Sequence, residues 1–223
     1  GTGSAATEKI WFDVVSKSGI SDFLGYEEKN GKAIIQDIIV IDKSVKNITK
    51  DIEAVLILNQ TPFYAESGGQ IGDTGSISFN ESVFEVTDTK KKLGLHLHYG
   101  KLKNGNLKIG DDVLLSIDSN RRDSLRSYHS ATHLLHQSLR DTLGDHVSQK
   151  GSLVSFDRLR FDFSHHKQIS DDEIKTIESN VEKIISLSYP VTTQSMKPED
   201  AIKKGALALF GEKYGDEVRV LSI

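Results

Sequence analysis

The sequence predicts an α+β protein, an N-terminal small β-barrel followed by an α+β domain with an antiparallel sheet. Three observations predict it. Residues 32–119 divide into short apolar runs separated by turn residues, at the spacing of a small closed barrel. Residues 121–143 then keep helical periodicity until Gly144 stops it. Beyond that glycine, short strand-like runs alternate with a second amphipathic helix, as in a domain where helices pack on a sheet. The 223 residues suffice for one large domain or two small ones. We divide them into a lead-in over 1–30, a barrel over 31–119 and an α+β domain over 120–223.

Glu8 to Phe23, with Trp11 and Phe12, reads as a helix leading in from a preceding segment. The barrel strands are expected at Ala33–Ile41, Ala54–Leu58, a hairpin over Ser76–Thr87 turning near Asn80, Leu95–Tyr99 and Val113–Ile117. Asn104-Gly105 and Gly110-Asp111 punctuate them as turns. After the long helix, Leu153–Phe156 and Leu159–Phe163 read as paired strands. Ser170 and Glu173 form a capping box, and Ile174, Ile177, Val181, Ile184 and Ile185 follow at helical spacing until Tyr189-Pro190. Val191–Ser195 and Val218–Ile223 are further strands, with a short helix opening at Pro198.

Composition narrows the functional classes. Without cysteine there is no disulfide and no thiolate, so a metal held by these residues must use histidine or carboxylate. The longest apolar run, Ala33–Ile41, contains Gln36 and Asp37 and is too short to span a bilayer, so no membrane partner and a cytoplasmic location are expected. A net charge of −4 argues against a surface that grips nucleic acid everywhere. Two local basic clusters, Lys90-Lys91-Lys92 and Arg121-Arg122 with Arg126, are either phosphate contacts or solvated charges. The only methionine is Met196, which with Gly1 at the start suggests a piece excised from a longer chain.

His129-Ser130-Ala131-Thr132-His133 carries the sharpest chemical signal. Imidazoles four residues apart on a helix lie on one face about one turn apart, where they can share an ion. His129, His133 and His136 fall to one side of a stripe formed by Tyr128, Thr132, Leu135 and Leu139, at the edge of the apolar face. The plainer reading is three partly buried histidines. Ser130 stands where a His-Glu-x-x-His metalloprotease carries its general base, which excludes that chemistry. Thr132 and Gln149 are candidate polar contacts, Thr132 also fitting the packed stripe and Gln149 a plain turn. Gly68 and Gly69 permit close backbone approach or a hairpin turn, with Glu66, Ser67, Gln70, Asp73 and Thr74 as polar neighbours. No Gly-Lys-Ser/Thr ending follows, so the segment is not a nucleotide P-loop.

Five motifs stand in order: Asn59 to Gly75, His129 to His136, His146 to Ser152, Leu159 to His165, and Ala208 to Asp216. Together they resemble the editing region of the alanyl-transfer-RNA synthetase family over nearly everything after Trp11. That resemblance implies a domain that hydrolyses a mischarged seryl or glycyl group from tRNA(Ala). It implies zinc held by His129 and His133 with a later Cys-x-x-x-His pair, absent from this chain, whose last residues read as the strand leading into it. It also implies a catalytic role for Gln149, a cleft wall formed by Gly68, Gly69 and Gln70, and ATP used by the whole enzyme outside these residues. We take Gly68, Gly69, Gln70 and Thr132 as substrate-binding candidates, and we expect this chain to hold zinc weakly at His129 and His133 and to be a poor deacylase. Zinc in such a site polarises the ester carbonyl, activates water or positions the aminoacyl end. A free-standing trans-editing deacylase and a non-catalytic tRNA-binding module are the alternatives, and the oligomeric state stays open.

Overall fold

The computed structural model describes residues 2–206 and 216–222, so most of the fifth motif, from Ala208 to Gly215, lies outside the described residues. In chain order its elements begin with α1 (Thr2–Ser18), β1 (Asp22–Phe23), β2 (Asn30–Val40), β3 (Lys43–Ser44), β4 (Asn47–Thr49), β5 (Glu53–Leu58) and β6 (Gln60–Thr61). They continue with β7 (Gly75–Phe79), β8 (Ser82–Lys92), β9 (Leu95–Asn104), β10 (Asn106–Lys108), β11 (Asp112–Ile117) and α2 (Ser119–Leu143). The remainder are β12 (Gln149–Val154), β13 (Leu159–Phe163), α3 (Asp171–Leu187), β14 (Thr192–Met196), α4 (Pro198–Lys203) and β15 (Val218–Ser222). They group into two compact units, one comprising 1–126 with 155–157 and the other 127–154 with 158–223. No helix among the described residues is long and apolar enough to cross a membrane.

The first unit is a closed six-stranded antiparallel barrel in the order β11-β7-β8-β9-β5-β2, with β11 pairing back onto β2. Closure leaves none of the six as an open edge. Period-two alternation fills the interior. Val113, Leu115 and Ile117 of β11 point inward with Ile77, Phe84, Val86 and Leu102. In β2 and β5 the alternation fails, because Ile38 and Ile39 are both buried, as are Leu56, Ile57 and Leu58. The cause lies outside the barrel wall, where Trp11 and Val14 of α1 cover Ile39, Ile57, Leu95 and Leu97. Runs such as Val55-Leu56-Ile57-Leu58 are therefore apolar on both faces. The lead-in helix ends at Ser18 rather than Phe23, since Gly19 takes a φ of +76° and Asp22–Phe23 pairs in parallel with Gln60–Thr61.

One ion pair fastens the barrel to the first turn of α2. Arg122 donates to both Asp73 carboxylate oxygens, and its remaining nitrogens reach the carbonyls of Gly25 (2.8 Å) and Pro62 (2.9 Å). Asp73 also accepts from the Tyr64 N–H at 2.8 Å. Arg122 is therefore no phosphate ligand, whereas Arg126 is exposed. A second buried polar group, His98, lies within 3.0 Å of the Leu56 carbonyl through Nδ1 and 2.8 Å from Thr61 Oγ1 through Nε2. The carbonyl can only accept, so Nδ1 carries the proton and Nε2 accepts from Thr61. Burial lowers the His98 pKa to about 3.

In the second unit, α2 supplies Leu139 to a small core with Val147 of the following loop and Ile177 of α3, flanked by Leu135, Leu143, Phe161 and Phe163. The β12–β13 hairpin is antiparallel and begins at Gln149, earlier than the Leu153 expected from the sequence. The capping box of α3 is present in full, and Ser188 ends that helix in the left-handed region. The apolar stripe of α3 is a correction, because only Ile177 of its expected residues is buried, while Ile174 and Ile185 are 41% and 56% exposed. Val181 and Ile184 are half-buried, because the small core that Leu139, Val147 and Ile177 form takes in only Ile177 of this stripe. β14 pairs with β15 antiparallel, as the strand pattern at each end suggests.

Removing Asp73 leaves a buried guanidinium without its counter-charge, so Asp73→Ala is expected to lower unfolding free energy by about 3–5 kcal/mol. Arg122→Met with Asp73→Leu is expected to lose less, and urea unfolding of the three proteins is the check. A loss under about 1 kcal/mol in Asp73→Ala would mean that the pair is not buried in solution. His98 has a pKa below its unfolded value of 6.5, so the unfolded chain takes up its proton first as pH falls. Its stabilising contribution is present above pH 6.5 and is lost progressively between pH 6.5 and about pH 3. The drop in melting temperature from pH 7 to pH 5 is expected to shrink in His98→Gln.

Candidate functional site

The glycine-rich segment divides into an outward-facing turn and a buried anchor. Gly68 and Gly69 have φ of +57° and +78°, and they join Ser67 and Gln70, whose backbones exchange two hydrogen bonds of 3.1 and 3.0 Å. Two consecutive positive φ angles make this a two-residue hairpin turn of the type that favours Asn and Gly. Gly68 is exposed and Gly69 half-buried, but Gln70 is buried. Asp73 faces inward to Arg122 and is not a cleft group. Lys90, from the basic run at the end of β8, sits 3.6 Å from Asp88 and 4.0 Å from Glu66. All of these residues belong to the first unit.

His129, Thr132, His133 and Gln149 belong to the second unit. The rings of His129 and His133 stack with centroids 5.1 Å apart and planes inclined by 25°. Their own turn of α2 brings them together, as the spacing of four requires. Partial desolvation by the surrounding helix lowers both pKa values, although the His133 ring keeps an exposed edge, and the neighbouring imidazole lowers that of His129 further. Neutral rings present lone pairs to a metal, so the pair is chemically fit to supply two zinc ligands. No third described carboxylate or imidazole closes a three-donor group around it.

His136 differs from this pair. It is 7% exposed, its ring lies 5.0 Å from Phe161, and its Nε2 is buried without a hydrogen bond. The helix therefore directs His136 into the core and leaves the side of His133 exposed, which separates residues that the helical wheel placed together. Thr132 is buried and its hydroxyl donates to the Tyr128 carbonyl at 2.9 Å, so it serves the helix's own backbone. Gln149 is the first residue of β12, half-buried, opposite Phe163 and beside a register shift that ends at Gly151.

A further constellation was not apparent as a site in the sequence. His146, between α2 and β12, meets His165 and His166 after β13, with one nitrogen of each ring within 4.8 Å of the other two. His146 Nε2 is 2.8 Å from His165 Nδ1. The available signal was a histidine at each outer end of a predicted hairpin, since antiparallel pairing brings such ends together.

The family model described as tRNA synthetases class II (A) matches residues 2–121, which include the whole barrel. Alanine–tRNA ligases of Parvibaculum lavamentivorans, Chelativorans sp. and Sinorhizobium medicae are 53%, 49% and 50% identical to the chain over its whole length. A barrel unit followed by a histidine-bearing α+β unit is thus a piece of a class II tRNA synthetase. The chain belongs to the alanyl-tRNA synthetase family. It spans 25% of the length of these relatives.

The turn supplies a local test. Gly68→Val forces a β-branched residue into the left-handed region and is expected to cost about 1–2 kcal/mol, whereas Gly68→Asn is expected to be nearly neutral. Urea denaturation of both variants measures the difference, and equal losses would contradict the turn geometry.

Proposed function

We propose that this chain is the main part of the editing domain of an alanine–tRNA ligase, hydrolysing the ester of seryl- or glycyl-tRNA(Ala) in the cytoplasm. The observation that carries the reading is the stacked, neutral His129–His133 pair on α2, in a chain of this family. The need for such a site follows from selection. A pocket for alanine cannot strongly reject the smaller glycine or the hydroxyl added in serine, so a second, hydrolytic site must remove the error.

His129 and His133 would hold zinc as two of its ligands, the remainder coming from outside these residues. The metal would polarise the ester carbonyl, activate water or position the aminoacyl end. The chain's own groups do the rest. Neutral imidazoles bind without first releasing protons, which keeps the site loaded at neutral pH. Gln149 offers both an amide donor and a carbonyl acceptor, suited to hold the substrate's amino or hydroxyl group. The Gly68-Gly69 turn offers a wall that a nucleic-acid end can approach closely, because no Cβ intervenes. Recognition of tRNA(Ala), and ATP-dependent charging elsewhere in the whole ligase, complete the assignment.

The test uses the whole ligase with purified seryl-tRNA(Ala). Gln149→Leu is expected to slow deacylation by about tenfold or more, the value of one hydrogen bond made in the transition state, with the melting temperature unchanged. His129→Ala is expected to abolish deacylation while alanine charging continues. Full hydrolysis by both variants would refute the reading, and a Gln149 variant that lost stability and activity together would make that residue structural.

A further inference from the structure

We infer that His146, His165 and His166 form a second metal site, for zinc or a similar borderline-soft divalent ion, at the base of the β12–β13 hairpin. It is independent of the His129–His133 pair and does not rest on the editing assignment. The three imidazoles stand in a ring-on-ring cluster, with centroids of 5.1 Å between His146 and His165, 4.8 Å between His146 and His166 and 4.9 Å between His165 and His166. The ligand nitrogens all lie within 4.8 Å of one another. Zinc–nitrogen bonds of about 2.0–2.1 Å at tetrahedral angles place two ligands of one ion about 3.3 Å apart, so side-chain rotations that bring the nitrogens up to about 1.5 Å closer would form the site.

The donor set selects the metal. Three imidazoles without a carboxylate favour zinc, copper or nickel and disfavour magnesium and calcium, which require oxygen. Glu173, whose charge acts on His165, accepts from Lys167 at 3.0 Å and from the backbone and hydroxyl of Ser170 as part of the α3 capping box. It is therefore committed elsewhere. Three histidines with water in the fourth position make a tetrahedral zinc site of ordinary composition.

A purely structural histidine cluster fits less well. His146 Nε2 and His165 Nδ1 share a single proton across 2.8 Å, and in either arrangement His165 Nε2 is left buried without a partner. An ion held by the three rings would take the lone pairs of both contacting nitrogens and remove their competition for one proton. The site is also braced from below, because the hydroxyls of Ser148 and Ser164 meet at 2.8 Å and the Ser164 N–H donates to the Ser148 carbonyl at 3.0 Å. These contacts hold the two chain segments in register before any ion arrives. An ion there would clamp the open end of the hairpin within three residues of Gln149.

The experiment titrates the 223-residue chain with zinc and, separately, with cobalt(II), following binding by calorimetry and by the cobalt absorption bands. His146 and His166 are exposed, so His146→Ala and His166→Ala are expected to leave the circular dichroism spectrum intact. Each is expected to weaken metal binding by about tenfold or more. The double variant His129→Ala, His133→Ala is expected to keep the same site. Binding that persists undiminished in His146→Ala and His166→Ala would overturn the proposal, as would binding lost only in the His129, His133 variant or no cobalt spectrum at all. Loss of activity in the whole ligase with this cluster intact would bear on the editing assignment and not on this site.

Discussion

The buried ion pair between Arg122 and Asp73 is the constraint on which the barrel unit depends. Two charges removed from water lose several kcal/mol of hydration each, and their attraction restores it only when every remaining donor is also satisfied. Here the guanidinium is engaged by Asp73, Gly25 and Pro62, and the carboxylate has the Tyr64 N–H besides. Three loop segments and the first turn of α2 therefore meet at one point. The neighbouring backbone is equally constrained, for a Cβ on Gly72 would stand 2.0 Å from the Thr89 carbonyl oxygen. Such a packed junction is expensive to alter one residue at a time.

That junction divides the glycine-rich motif by role. Gly72 and Asp73 are there because the fold needs them, whereas Glu66, Ser67 and Gly68 are exposed and make no comparable demand. A sequence motif of seventeen residues carried both signals without separating them. The same holds for the arginine pair, since Arg122 is buried while Arg121, one residue before it, reaches the Gly72 carbonyl at 2.7 Å and lies over the Phe156 ring. Adjacent charges of identical type thus serve different ends, and only the three-dimensional arrangement tells them apart.

Much of the fold was legible because its signals are local. The barrel strands, the long helix, the capping box at Ser170 and the turn at Asn80, with φ of +51°, depend on periodicity and on residues a few positions apart. What failed depended on distant partners. Nothing near Ile174 or Ile185 reports that they stay outside the small core around Ile177, and nothing near Ser18 reports that Asp22–Phe23 pairs with Gln60–Thr61. Gln149 read as a turn because Gln-Lys-Gly lacks strand character, yet pairing with Phe163 and a register shift absorb it into β12. The stacked His129–His133 pair was legible from helix geometry alone.

The eight histidines show why residue type by itself says little about chemistry. His98 is fully buried between two hydrogen-bond partners, and His96 is stacked on Phe23 at 5.4 Å with its pKa lowered to about 4; both are held neutral by the barrel. His136 is buried against Phe161. His129 and His133 share one helix face, and their spacing fixes two donors but can never provide a third on the same turn. His146, His165 and His166 come from two loops that strand pairing brings together, so their number is not limited by a helical repeat. A helix thus supplies a precise pair that must be completed from elsewhere, while the end of a hairpin can gather a whole donor set. The difference between the two clusters follows from the secondary structure that carries them.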